Sequence, residues 1–553
     1  MKLTYSLILF WCLVLHSGCN TTEVEPAAGS SATYSNPILA GFNPDPSICK
    51  VGSDYYLVTS SFAYFPGIPI LHSKDLVHWN QIGSAITRTG QMDFTTQGFS
   101  RGLFAPTIEY HDGWYYITCT QVDIGGNFIV KSRSPEGPYS NPYWLPEVNG
   151  IDPSLFFDDD GKLYIIYNSI PPNNESLYGG HRTIRMWELD PDSLTVKGEE
   201  QLLVNGGTDL SKEPVWIEAP HMYQIDGLYY LMCAEGGTAE AHSEVIFRSE
   251  RITGPFEVFE GNPILTQRHL DPGREAPITC AGHADMVQTD AGEWWAVFLA
   301  CRPYRGNHYN TGRETFLAPV TWEEGWPIIN PDYEEVQYEY PVPATTGQTV
   351  AEVPLNGKFD HEFDLSKPLD HRWLFLRNTV EEWYEHNTTD GTLTLQLRPE
   401  AIDTAGNPSL ILRRQSHLRG EAVTRLTFTP QRESEMAGLV ILQNAEHYYF
   451  INKAADQLQL LKQTDDGHET LAEAPYTGES VYLKIEADGP QYHFSFSPDN
   501  TKFKVLAENV DATHLSTKTA GGFVGCLYGM YATSNGGESG NRAVFDYFRV
   551  ASR

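Results

Sequence analysis

Gly161-Lys162-Leu163-Tyr164-Ile165-Ile166-Tyr167 is a tight turn running into an apolar strand, and it is one of five copies of a single pattern. The others are Ser53-Asp54-Tyr55-Tyr56, Gly113-Trp114-Tyr115-Tyr116, Gly227-Leu228-Tyr229-Tyr230 and Gly292-Glu293-Trp294-Trp295. An acidic residue or turn-former precedes most copies, and alternating apolar residues follow, so each reads as a hairpin turn entering a strand. The last residues of the copies, at 56, 116, 164, 230 and 295, lie 60, 48, 66 and 65 positions apart. One four-stranded blade fits each interval, which predicts a five-bladed β-propeller.

Counting back twelve positions from the four later anchors reaches Phe104, Asp152, Glu218 and His283; counting back eleven from the first reaches Asp45. The innermost strands of a propeller face its axis, so equivalent positions in successive blades converge. Unpaired buried charge is costly, so three carboxylates, a histidine and an aromatic meeting there would make a poor core and a good site. Alone, Asp45 in Asn43-Pro44-Asp45-Pro46-Ser47 reads as a turn aspartate. In register with Asp152 in Ile151-Asp152-Pro153-Ser154 and Glu218 in Ile217-Glu218-Ala219-Pro220, it becomes part of a constellation.

Glycosidic cleavage needs one protonated carboxyl to protonate the leaving oxygen and one ionised carboxylate on the opposite side. When the second activates water the configuration inverts, and the two stand about 6.5–9.5 Å apart. A third carboxylate then has a use, because its charge raises the pKa of the acid and orients it. Position alone does not say which residue plays which part.

The whole chain bounds the partners. Its 553 residues carry 71 acidic against 38 basic side chains, a formal charge of −33. That argues against nucleic acid or an anionic membrane surface and for a neutral substrate. Thirty tyrosines and twelve tryptophans suit β-structure and sugar-facing surfaces alike. Residues 1–19 read as a signal peptide: Met1-Lys2, an apolar run from Leu3 to Leu15, then Ser17-Gly18-Cys19. That ending is similar to a bacterial lipobox, although His16 stands where leucine is usual. The expectation is an exported protein, in the periplasm or at the cell surface, lipid-anchored through Cys19 and tethered by a linker over 20–33. Membrane contact is expected only through that anchor. Six further cysteines (49, 119, 233, 280, 301 and 526) sit mostly in apolar runs without Cys-x-x-Cys spacing and read as buried free thiols.

The blade pattern stops after about Asn330. The propeller is therefore placed at 34–340, a Pro- and Thr-bearing linker at 341–354, and a second domain at 355–553. Short alternating strands such as Thr392–Leu397, separated by Asp390-Gly391, Asp466-Gly467 and Asp488-Gly489, predict an antiparallel β-sandwich there. The fold class is all-β throughout. The sandwich could pack, bind sugar, or send the segment Tyr528–Gly540 over the propeller mouth.

Several long stretches carry a resemblance. Asn36–Ser47, Ser60–Gly67 and His72–Trp79, followed by Ile217–His221, Ala234–Thr238, Gly282–Asp285 and Gly312–Phe316, together resemble glycoside hydrolase family 43 over residues 34–553. The resemblance implies that Asp45 is the general base, Glu218 the general acid and Asp152 the carboxylate that tunes and orients the acid. It implies that Arg313 binds sugar hydroxyls and that Phe62 lines the pocket of the terminal sugar. His283 would lie beneath that sugar or near a central water or calcium ion. Phe104 stands where tryptophan is common. The implied activity is exo-acting, inverting removal of terminal β-D-xylosyl or α-L-arabinofuranosyl residues from xylan-derived glycans, with no required cofactor and at most a structural calcium. An arabinofuranosidase only, or a non-catalytic sugar-binding lipoprotein, are the other readings. A retaining fructan-active propeller would want Arg-Asp-Pro and Glu-Cys where this chain has Ile151-Asp152-Pro153 and Glu218-Ala219. The sequence does not fix the oligomeric state.

Overall fold

The structure is a computed structural model that describes residues 32–347, 358–378 and 382–553. The signal segment with Cys19, residues 20–31 of the tether and residues 348–354 of the linker lie outside the described residues. Five antiparallel sheets of four strands or more follow one another along residues 47–329. Their first strands are Ser47–Val51, Thr107–His111, Ile151–Phe157, Glu218–Ile225 and Thr279–Gln288. Each of these packs on its counterparts in the blades before and after it, and the fifth returns to the first, so they form a closed ring about an axis. The anchors Tyr56, Tyr116, Tyr164, Tyr230 and Trp295 all stand on the second strand of their blades. The turn before each anchor is the hairpin from first to second strand, which is why a fixed count back from it lands at the head of the inner strand.

The ring is closed by the start of the chain. Thr33–Ser35 pairs antiparallel with Glu339–Pro341. Asn36 donates from Nδ2 to the Leu317 carbonyl at 2.8 Å, and Leu39 bridges Thr315 in the fifth blade. Among the described residues no helix is long and apolar enough to cross a membrane. The six cysteines from Cys49 onward are free and buried.

The second domain is a sandwich of two antiparallel sheets. One of them does not end within its own domain. Its edge strand Leu374–Leu376 pairs with Tyr64–Phe65, a short strand of the first blade. Phe42, Phe62, Tyr64 and Phe99 of the propeller share one buried cluster with Leu376, Leu412, Val440, Val524 and Leu527 of the sandwich. Polar contacts complete the seam: the Arg377 amide donates to the Ala63 carbonyl at 2.8 Å, and the Cys526 amide to that of Asn310 at 2.7 Å. Buried apolar area of this kind stabilises at about 25 cal/mol per Å², and each half would expose it if separated. A chain ending at residue 347 is therefore expected to aggregate, or to melt well below the full chain, in a thermal scan. A soluble fragment that melts cooperatively at the same temperature would contradict a shared core.

Candidate active site

The seven residues singled out from the sequence (Asp45, Phe62, Phe104, Asp152, Glu218, His283 and Arg313) all line one cavity of about 600 Å³ at the propeller axis. Local backbone explains how the blades aim them. Asp45, Asp152 and His283 have φ of 55°, 52° and 54°, and Ala219, next to Glu218, has 49°. This left-handed region is uncommon for residues other than glycine. Three of the inner strands slip register there, between Ile151 and Ser154, between Glu218 and His221, and on both sides of Gly282. Bulges of this sort bend a strand and redirect its side chains. The same bend recurs in successive blades, so the side chains turn together toward the axis.

Asp45 is buried and held on both oxygens. Arg313 Nη1 donates to Oδ1 at 2.7 Å, and the Ser60 hydroxyl donates to Oδ2. Burial pushes this carboxyl up, but Arg313 and the other neighbours, His283 and Ser60 among them, outweigh it, so the net pKa is lowered. Glu218 goes the other way: burial, then the charges of Asp152 and Asp45, raise it well above the ordinary glutamate value. Asp152 is raised to about 7 by burial and by Asp45, with the Ala219 amide offsetting part of the effect. The cavity thus favours the ionised form of Asp45 and the protonated form of Glu218.

Arg313 is itself buried, which excludes a surface ion pair for it. Besides Asp45 it donates to Thr238 Oγ1 at 3.0 Å, and its guanidinium lies 5.6 Å from the ring centre of Phe523. His283 Nδ1 stands 3.7 Å from Asp45 Oδ1, and burial takes its pKa down to about 3, so the ring is neutral. The carboxylate nearest to it is already held by Arg313 and Ser60. Calcium takes about six to eight oxygen ligands, and among the described residues no three His, Cys, Asp or Glu side chains could hold a metal ion.

Three contributors were missed. Phe523, in the loop after the short helix Thr517–Ala520, reaches from the sandwich into the cavity and stacks on Phe62 with ring centres 6.1 Å apart. The segment expected to do this, Tyr528–Gly540, does not line the cavity; Tyr528 is a buried member of the strand Leu527–Thr533, paired on both sides. The pair Gly521-Gly522 before Phe523 was the available signal, since two adjacent glycines with positive φ turn the chain sharply. Trp216 and Arg182 also line the cavity. Trp216 lies two residues before Glu218, close enough in sequence to have been considered.

Two carboxyls driven to opposite protonation states in one cavity meet the demand of glycosidic cleavage, and the class that fold and site define is a propeller glycoside hydrolase. Residues 34–327 match Glycosyl hydrolases family 43, and residues 360–551 match the Beta xylosidase C-terminal Concanavalin A-like domain. The chain belongs to glycosyl hydrolase family 43. It is 40% identical over 525 residues to a xylosidase/arabinosidase of Butyrivibrio fibrisolvens, covering 93% of this chain and 98% of that one. It is 36% identical to a non-reducing end alpha-L-arabinofuranosidase of Bacteroides ovatus, covering 93% and 94%. A family 43 crystal structure from Bacillus licheniformis superposes with a TM-score of 0.84 at 33% identity, covering 94% of this chain and all of that one.

The carboxyl coupling has a direct readout. The alkaline limb of kcat/KM reports loss of the proton from the site's acid. Asp152→Asn removes a negative charge beside Glu218, so the Glu218 pKa falls and the limb is expected to move to lower pH. An alkaline limb that stays in place would show that Asp152 does not act on Glu218 through its charge.

Proposed function

We propose that the chain is an exo-acting, inverting glycosidase that removes terminal β-D-xylosyl or α-L-arabinofuranosyl residues from xylan- and arabinoxylan-derived glycans. What carries the reading is that Asp45 and Glu218 line one cavity with their carboxyl pKa values driven in opposite directions. Glu218, holding its proton at neutral pH, delivers it to the leaving oxygen as the bond to the anomeric carbon breaks. Asp45, ionised, takes a proton from the water that attacks that carbon from the other face. Both Asp45 oxygens are tethered, which suits a fixed proton acceptor rather than a group that travels to the sugar. Asp152 keeps Glu218 protonated by its charge and, through the Ala219 amide, ties the third blade to the acid's strand.

Removal of a terminal sugar is supported by the enclosure of the cavity around Arg313. Phe523 covers the guanidinium from the sandwich side and stacks on Phe62, while His283 stands beside Asp45. The two sugars are drawn from the names of the relatives, which divide between xylose and arabinofuranose; both pentoses present similar hydroxyls to Arg313 and to the neutral His283. The Bacteroides ovatus relative favours arabinofuranose as the second reading. The reaction needs only water and the two carboxyls. With Cys19 acylated, residues 20–33 would tether the enzyme to a membrane surface outside the cytoplasm.

The test is hydrolysis of the matching disaccharides and nitrophenyl glycosides, with the first-formed anomer followed by NMR. Wild type is expected to release sugar of inverted configuration. Asp45→Ala should abolish turnover of both substrate types. Glu218→Ala should slow disaccharide cleavage by about 10²–10⁴-fold, and nitrophenyl glycosides much less, because nitrophenolate leaves without a proton. Net retention at the anomeric carbon, near-normal rates of Asp45→Ala on either substrate type, or near-normal disaccharide cleavage by Glu218→Ala would sink the assignment.

A further inference from the structure

Phe104, which stands where tryptophan is common in the family, is engaged by other aromatic rings. It packs edge-on against Phe62 at 5.3 Å and against Phe523 at 5.9 Å, and Arg101 stands 5.7 Å from its ring centre. Another aromatic in the cavity wall stands beside the proposed acid. Trp216 is two residues upstream of Glu218, is partly exposed, and lines the same cavity.

Its placement is built. Trp216 has φ of 52°, a conformation that a bulky side chain adopts only where its surroundings impose it. The surroundings are two loops from neighbouring blades. The Trp216 amide donates to the Gly180 carbonyl at 2.9 Å, and the Gly236 amide donates to the Val215 carbonyl at 2.7 Å. Gly180 has φ of +84°, and a Cβ there would come within 3.0 Å of Val215 and 3.3 Å of the Trp216 ring. Asn168 Nδ2 donates to the Ile217 carbonyl and fixes the next residue. Arg182 lies 4.0 Å from the indole centre, a cation–π contact that backs one face of the ring. Among the described residues Arg182 forms no ion pair; its Nη1 donates to its neighbour's carbonyl, that of His181, at 2.9 Å. Val215, the residue before Trp216, and Ile170 are both about two-fifths exposed and line the same cavity.

We propose that Trp216, backed by Arg182, is the platform on which the first leaving-group sugar of the substrate stacks. This rests on the glycosidase reading with Glu218 as acid. The acid must touch the leaving oxygen, so whatever flanks the acid faces the leaving group, whereas Asp45, Arg313, Phe62 and His283 lie around the sugar that is released. An indole face rimmed by aliphatic side chains fits the C–H face of a neutral pyranose or furanose.

The test compares two substrates that share a glycone. One is a disaccharide, xylobiose or the arabinofuranosyl equivalent if that is the sugar the wild type takes. The other is the matching glycosyl fluoride, whose fluoride leaves without a ring to stack or a proton to receive. Trp216→Ala and Trp216→Leu are expected to lower kcat/KM for the disaccharide at least tenfold, chiefly through KM, and to leave fluoride release within twofold. Trp216→Phe, which restores a planar face, should recover most of the loss. Equal losses on both substrates, or no loss on either, would overturn the platform and leave the hydrolase intact. A wild-type protein inert to both substrates would overturn the glycosidase reading and the platform with it.

Discussion

A buried ion pair, Asp45 with Arg313, connects the beginning of the propeller to its end. The two residues are 268 positions apart, and every blade must be in place for them to meet. Removing one partner of such a pair leaves an uncompensated buried charge, at a cost of about 3–5 kcal/mol. The neighbourhood repeats the arrangement one residue further on. Glu314, fully buried, accepts both donors of an Arg302 fork at 2.6 and 2.7 Å and the Gly41 amide at 2.6 Å. Arg302 in turn donates to the Ser416 carbonyl of the sandwich at 3.0 Å. Propeller closure, the loop that carries Asp45 and the seat of the second domain thus depend on two adjacent residues of the fifth blade. The same charge that closes the ring also helps to hold Asp45 ionised.

The repeat was legible because it is dictated locally. A turn followed by aromatic residues recurs wherever a second strand begins, and the chain takes a nearly constant number of residues to travel from the head of the inner strand to that turn. The departures are informative as well. The inner strands of the third, fourth and fifth blades bulge, yet Asp152, Glu218 and His283 keep a common count to their anchors, so these bends are part of the repeat and not interruptions of it. Five residues reached the cavity by this route, and Phe62 and Arg313 joined them through the resemblance. Trp216, Arg182 and Phe523 did not, since each arrives through a loop whose path depends on contacts distant in sequence: Gly180 and Gly236 for Trp216, and the sandwich seam for Phe523. A loop length can be read from a sequence; the direction in which its side chains point cannot.

The sandwich adds to the site what a propeller cannot supply from its own loops. Gly312, directly before Arg313, and Gly525, two residues after Phe523, approach so closely that a Cβ on Gly312 would come within 2.8 Å of the other's Cα. A β-carbon on either would wedge the domains apart at the residue that holds Asp45. Phe523 then lies against Arg313 and stacks on Phe62, so the enclosure of the cavity is set by the packing of the two domains and not by either alone.

This arrangement accounts for how a strongly acidic protein keeps one buried carboxylate ionised beside two others. Exposed carboxylates on the surface are solvated and act weakly at a distance through water and salt. Within the cavity three negative groups compete for one buried cation, Arg313, which contacts Asp45 directly. Asp152 and Glu218 feel the same cation only as a minor opposing influence, and each feels the other carboxylates more strongly. Arg313, with Ser60 and His283 beside it, lowers the pKa of Asp45, whereas burial prevails at Asp152 and Glu218. The opposite directions of the Asp45 and Glu218 shifts come from these surroundings, since Asp and Glu differ little in intrinsic acidity.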